Sequence, residues 1–148
     1  MKNYMKMEIS ARGENENFAR STVAAFALTL NPSLSELSDI RTAVSEGVTN
    51  SIVHGYSGGS EKDKILIECI ADGDENGGII HIRIADEGRG IENVEQALEP
   101  FFTTLSGEER SGMGFTIMQT FMDDFKIESK KDTGTKIFMS KKIGEKVG

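Results

Sequence analysis

A chain of 148 residues can bury one hydrophobic core but is short for two, so a single domain spanning residues 1–148 is expected. Its 37% hydrophobic and 28% charged residues are globular proportions, which exclude the disordered, fibrous and membrane classes. A formal charge of −7 repels a nucleic-acid backbone, so DNA or RNA binding is not expected, and any nucleotide must be held by local N–H groups and a metal ion.

Along the chain, Met5, Met7, Ile9 and Ala11 alternate with Lys6, Glu8 and Ser10, the period-2 pattern of a half-buried strand. This opening stretch has no continuous signal-peptide core, and the apolar run Val23 to Leu30 is too short to span a bilayer. The single Cys69 permits no intramolecular disulfide and reads as a buried thiol, so a cytoplasmic location is expected. Phe18, Thr22, Val23, Phe26, Ala27 and Leu30 trace a helical stripe over 15–30, closed by Asn31 before Pro32. Ser33 with Glu36 three residues later predicts a capping box opening a longer helix to His54, with Gly55 as its stop.

Residues 64–71 and 79–85 read as strands joined by the turn-rich stretch 72–78. A short helix is predicted over 93–98, then a mobile loop over 99–112. Phe115, Met118, Phe121, Met122 and Phe125 restore helical spacing, and Ile127 with 135–139 forms a last hairpin around Asp132 and Gly134. From Lys141 the chain is polar and is expected to fray. The order of elements predicts an α+β fold, a two-layer sandwich whose sheet is covered by helices on one face.

Chemistry concentrates in three places. On a wheel of the second long helix, Leu37, Ile40, Val44, Val48 and Ile52 cluster opposite Glu46, Asn50 and His54. Taken alone, that polar side is what any amphipathic helix offers. Asp86-Glu87-Gly88-Arg89-Gly90 directly follows a strand, where a carboxylate can accept from an exocyclic amine and glycines admit a flat ligand, although a plain turn has the same composition. Ser111-Gly112-Met113-Gly114 precedes a helix whose first N–H groups suit phosphate. Gly134-Thr135 adds a fourth, weaker signal.

The ordered set E-x3-N, D-x-G-x-G, loop, G-x-G and G-T resembles the Bergerat or GHKL family of ATP-binding folds. The stretches SARGENENFAR, VSEGVTNSIVHGY, DEGRGI, FFTT and ERSGMGFTIM resemble its anti-sigma serine kinases in particular. That resemblance implies a mostly antiparallel mixed sheet and ATP or ADP with Mg2+ as cofactors. It implies a catalytic role for Glu46, magnesium on Asn50, and adenine on Asp86. Gly88 and Gly90 would shape the base pocket, Gly112, Met113 and Gly114 would lie beside the phosphates, and Thr135 would support adenine through water. Thr103 and Thr104 would belong to the lid. The implied partners are a sporulation sigma factor, an anti-anti-sigma factor carrying the phosphorylated serine, and a second copy of the chain, with Arg20 as a partner contact.

Against the family pattern, Gly47 and Ser51 stand where Ala is expected. An interior helical glycine costs ~1 kcal/mol relative to Ala, but neither change removes a reacting group. Capture of a sigma factor without phosphate transfer is the competing reading, although binding alone has no need of a carboxylate beside Asn50. A detached histidine-kinase catalytic domain ranks lowest, since only His54 and His81 are present and no helical phosphoacceptor segment is seen. His54 reads as a helix-end structural residue and His81 as a strand residue. Walker-A and eukaryotic-type kinase signatures are absent from the sequence.

Overall fold

Strands β1 Lys2–Ala11, β2 Ser60–Asp74, β3 Gly77–Asp86, β4 Asp124–Lys130 and β5 Gly134–Ile143 form one sheet in the order β1-β2-β3-β5-β4. The computed structural model describes residues 2–99 and 113–144, without the side chains of Ser60 and Glu61. Every strand pairing among these residues is antiparallel. Helices α1 Glu14–Ala27, α2 Leu34–Asn50 and α4 Gly114–Phe121 supply the second layer, and a short α3, Val94–Ala97, follows β3. The period-2 pattern selects the covered face: Ile65, Ile67 and Cys69 of β2 and Ile80, Ile82 and Ile84 of β3 are buried, while Ile70, Ile79 and His81 remain open. Among the described residues no helix is long and apolar enough to cross a membrane. Burial pushes the Cys69 thiol up to about 12, so it is an inert core residue.

The cap at the start of α2 is formed as the spacing requires. Ser33 Oγ accepts from the Glu36 N–H at 3.0 Å, and Glu36 Oε1 accepts from the Ser33 N–H at 2.8 Å. Upstream, α1 tightens into a 3-10 turn over Leu28–Leu30, and Asn31 ends it in the left-handed region at φ 54°.

Three expectations are corrected. The ladder between β2 and β3 runs to Asp74↔Gly77, so most of the supposed turn 72–78 is strand, because backbone pairing does not require apolar side chains. Phe125 is not helical: α4 stops at Phe121, whose carbonyl accepts from Lys141 Nζ at 2.7 Å, and Met122 is extended. Phe125 nevertheless reaches the core from β4, edge-on to Phe115 with ring centroids 6.1 Å apart. The chain does not fray at Lys141, since β5 continues to Ile143, whose side chain is buried.

Gly47 shows how closely α2 sits on the sheet. A Cβ built there would lie 2.6 Å from Ile84 Cδ1, so the missing methyl is replaced by the end of Ile84. Gly47→Ala therefore gains helix propensity of ~1 kcal/mol but overpacks the layer, typically costing about 1–3 kcal/mol. Gly47→Ala is expected to lower the thermal midpoint, with Ile84→Val relieving the loss in the double variant. Strictly additive midpoints in that cycle would show that the two side chains do not share this space.

Candidate functional site

The docking of Gly47 against Ile84 carries α2 past the end of β3, and there the helix changes character. Asn50 closes α2 and is buried, and Ser51–Gly55 form a π turn in which the Tyr56 N–H donates to Ser51 O at 2.9 Å. Such widened turns are found often at functional sites. The turn is joined to the loop that leaves β3. Ser51 Oγ donates to Asp86 Oδ2 at 2.7 Å, and the Gly88 N–H donates to Asp86 Oδ1 at 2.9 Å. The Arg89 N–H donates to Gly55 O at 2.9 Å and Arg89 Nε to His54 O at 2.6 Å, so the carbonyls ending the turn are satisfied by one loop residue. Tyr56 Oη accepts from the Glu87 N–H and donates to Lys64 O, each at 2.7 Å, tying the same loop to β2.

Two glycines are required here. A Cβ on Gly88 would collide with Gly55 O, so the loop and the π turn approach backbone to backbone. Gly90 has φ 71°, the left-handed region that other residues avoid, and a Cβ on it would meet Lys130 O. Beyond it the Asp132 N–H donates to Arg89 O at 2.6 Å, and the Ile91 N–H donates to Ser129 Oγ, itself 2.7 Å from Thr135 Oγ1. Thr135 is the register partner of Asp86 across β3 and β5.

These contacts wall a cavity of about 920 Å³, lined by Asn50, His54, Arg89, Gly90, Gly114, Lys131 and Thr135 among others. That volume suits a nucleotide-sized ligand. Four of the residues singled out in the sequence, Asn50, Gly90, Gly114 and Thr135, thus meet at one cavity although the chain separates them widely. Asp86 and Gly88 are not among its lining residues, but both abut Gly55, which is. Burial holds the Asp86 carboxyl above the usual aspartate range, opposed by the hydrogen bonds from Ser51, Gly88 and the Thr135 backbone. A buried carboxylate that retains acceptor capacity beside a cavity can receive an amine.

The remaining candidates are placed differently. Glu46 is half-buried one turn before Asn50 and is not among the cavity's lining residues. Met113 is the N-cap of α4, immediately before its first residue. Thr103, Thr104 and Gly112 lie outside the described residues. Arg20 lies on α1, remote in sequence from every lining residue, where its Nε donates to Asn17 Oδ1 at 3.1 Å and pairs with Glu16 at 3.4 Å. Tyr56, Arg89 and Lys131 are site-building residues that sequence reasoning passed over. Ser51 was noted only as a departure from the expected Ala, with no role attached to it.

Comparison with known proteins agrees with this geometry. A family model described as a histidine kinase-like ATPase domain matches residues 9–141. An anti-sigma F factor of Clostridium perfringens is 51% identical over 143 residues, covering 97% of this chain and 99% of that protein. One from Geobacillus thermodenitrificans is 47% identical over 145 residues, covering 98% and 96%. Two solved structures share the fold at low identity. The RsbU and RsbW domains of a Mycobacterium tuberculosis protein align with TM-score 0.68 at 17% identity, over 95% of this chain and 32% of that one. The mycobacterial sensor histidine kinase MprB aligns with TM-score 0.56 at 16% identity, over 97% and 98%. The chain belongs to the histidine kinase-like ATPase domain family, on the branch of the anti-sigma F factors.

Proposed function

We propose that the chain binds ATP with magnesium, captures a sporulation sigma factor of the sigma F type, and phosphorylates a serine on an anti-anti-sigma partner. The observation that carries this reading is the cavity itself, where Asn50, Gly90, Gly114 and Thr135 converge beside the buried Asp86. In that cavity Asp86 would accept from the adenine amine, and Gly114, opening an eight-residue helix, would offer N–H groups to the phosphates. Among the described residues no cluster of three His, Cys, Asp or Glu side chains could hold a metal by itself. Magnesium needs only one or two protein oxygens beside the phosphates, and the Asn50 amide on the cavity wall fits that demand. When bound, the ion would neutralise phosphate charge; the chain's own part is to align the nucleotide.

The experiment is incubation of the purified chain with labelled ATP, magnesium and an anti-anti-sigma protein. Label on a serine of the partner supports the kinase reading, and its absence with intact sigma capture would replace it. That second reading, ATP-dependent capture without transfer, is separated from the first by this experiment and not by the cavity lining, which contains neither Glu46 nor Asp86.

A second copy of the chain is the partner best suited to the open face of the sheet. There Tyr4 is 57% exposed and Ile70 and Ile79 are each 36% exposed, around Arg83, which pairs with Glu68 and lies over the Phe138 ring. A homodimer in the cytoplasm is the assembly we propose. For the other partners, Arg20 stands on α1 near the exposed Phe18. Arg20→Glu is expected to weaken sigma and anti-anti-sigma binding at least about tenfold while sparing ATP affinity, because a reversed charge repels what the original attracts. Unchanged capture in a pull-down titration would make Arg20 an ordinary surface residue.

A further inference from the structure

We infer that Ser51 is a positioning residue for nucleotide recognition: its hydroxyl fixes the Asp86 carboxylate and so sets the preference for a base bearing an exocyclic amine. This rests on the ATP-site reading above and goes beyond it to a residue with no assigned role. Ser51 Oγ lies 2.7 Å from Asp86 Oδ2, and Ser51 is 1% exposed, so the contact is shielded from competing water. The other carboxylate oxygen, Oδ1, is held by the Gly88 N–H at 2.9 Å. Gly55 closes one side, where a Cβ would stand 3.2 Å from the carboxyl group. The serine backbone is itself tied down, since Ser51 O accepts from the Tyr56 N–H. With both oxygens engaged by the chain, the carboxylate plane is set before a ligand arrives.

Without the hydroxyl the carboxylate keeps only its backbone hydrogen bonds from Gly88 and Thr135, and because the terminal torsion of an aspartate is broad it can turn about its bond to Cβ within what those two allow. A turned carboxylate still fills the space but no longer aims its lone pairs into the base site. Ser51→Ala removes only the hydroxyl, and it does so at a position where an alanine would suit the helix better.

The experiment compares ATP with ITP, which carries a 6-oxo group where ATP has the amine, by calorimetry on the full chain with magnesium. The unsubstituted protein should prefer ATP. In Ser51→Ala, ATP affinity should fall about tenfold, the scale of one hydrogen bond to a charged group, while ITP affinity is unchanged. Ser51→Thr, which keeps the hydroxyl, should restore the preference. Should Ser51→Ala keep the ATP/ITP ratio while Asp86→Asn loses it, the inference about Ser51 fails and the ATP site stands. Should Asp86→Asn also bind ATP as before, the site itself has been misplaced. A parallel fall in both affinities with a lower thermal midpoint would make Ser51 a support of the fold and would equally overturn the inference.

Discussion

Asp86→Asn is expected to weaken ATP binding by roughly 10²-fold, the upper range for a hydrogen bond made by a charged group in a desolvated setting. Asn has one acceptor oxygen where Asp has two. The Gly88 and Thr135 backbone groups both need the remaining amide oxygen, so the new amide nitrogen turns toward Ser51, whose hydroxyl can reverse and accept. The fold should tolerate this exchange, and the direction of the Asp86 shift says why. Burial raises its folded-state value above the unfolded one, so the folded state binds the proton more tightly, and stability falls as pH rises through that interval. Removing the charge removes that loss, and the thermal midpoint at neutral pH should not drop. The measurement is calorimetric ATP titration beside thermal unfolding. An unchanged Kd would remove Asp86 from the base site, whereas a collapsed midpoint would mean that the carboxylate holds the loop to the π turn.

Glu46→Gln carries the second large effect. The substitution keeps length and hydrogen-bonding capacity but removes the charge that could take or orient the serine proton, and general-base assistance contributes at least about 10²-fold where it operates. Phosphate transfer in single-turnover conditions should fall by that factor, with ATP affinity and sigma capture retained. The position of Glu46 makes the test informative, because it lies one helical turn before Asn50 and not on the cavity wall. If transfer persists at its normal rate, alignment and charge neutralisation supply the rate, which phosphoryl transfer permits. If ATP binding and capture vanish together with transfer, Glu46 is a structural residue of α2.

Much of the molecule could be read before any fold was known, and the reasons are local. Side-chain alternation marks strands because successive residues face opposite sides of a sheet, so β1 and the cores of β2 and β3 were legible. The capping box at Ser33 depends on residues three apart, and it formed as read. Periodicity misled where a longer-range partner intervened. Phe125 continues the helical spacing, but Lys141, distant in sequence, closes α4 at Phe121, and β4 claims the residues that follow.

For the site, residue types and their order pointed to Asn50, Asp86, Gly90, Gly114 and Thr135, since phosphate and base chemistry restricts what can serve. What no spacing could supply was the packing between segments. Gly47 looked like a cost to the helix until Ile84 was found filling its missing methyl, and Ser51 looked neutral until the π turn brought its hydroxyl to Asp86. Arg89 drew no reading of its own from the sequence, yet its N–H groups satisfy carbonyls 34 and 35 residues earlier in the chain. Sequence alone determined which groups could do the chemistry. Tertiary structure decided which of them are desolvated, aimed and held, because burial and hydrogen-bond partnership depend on segments far apart in the chain meeting in space.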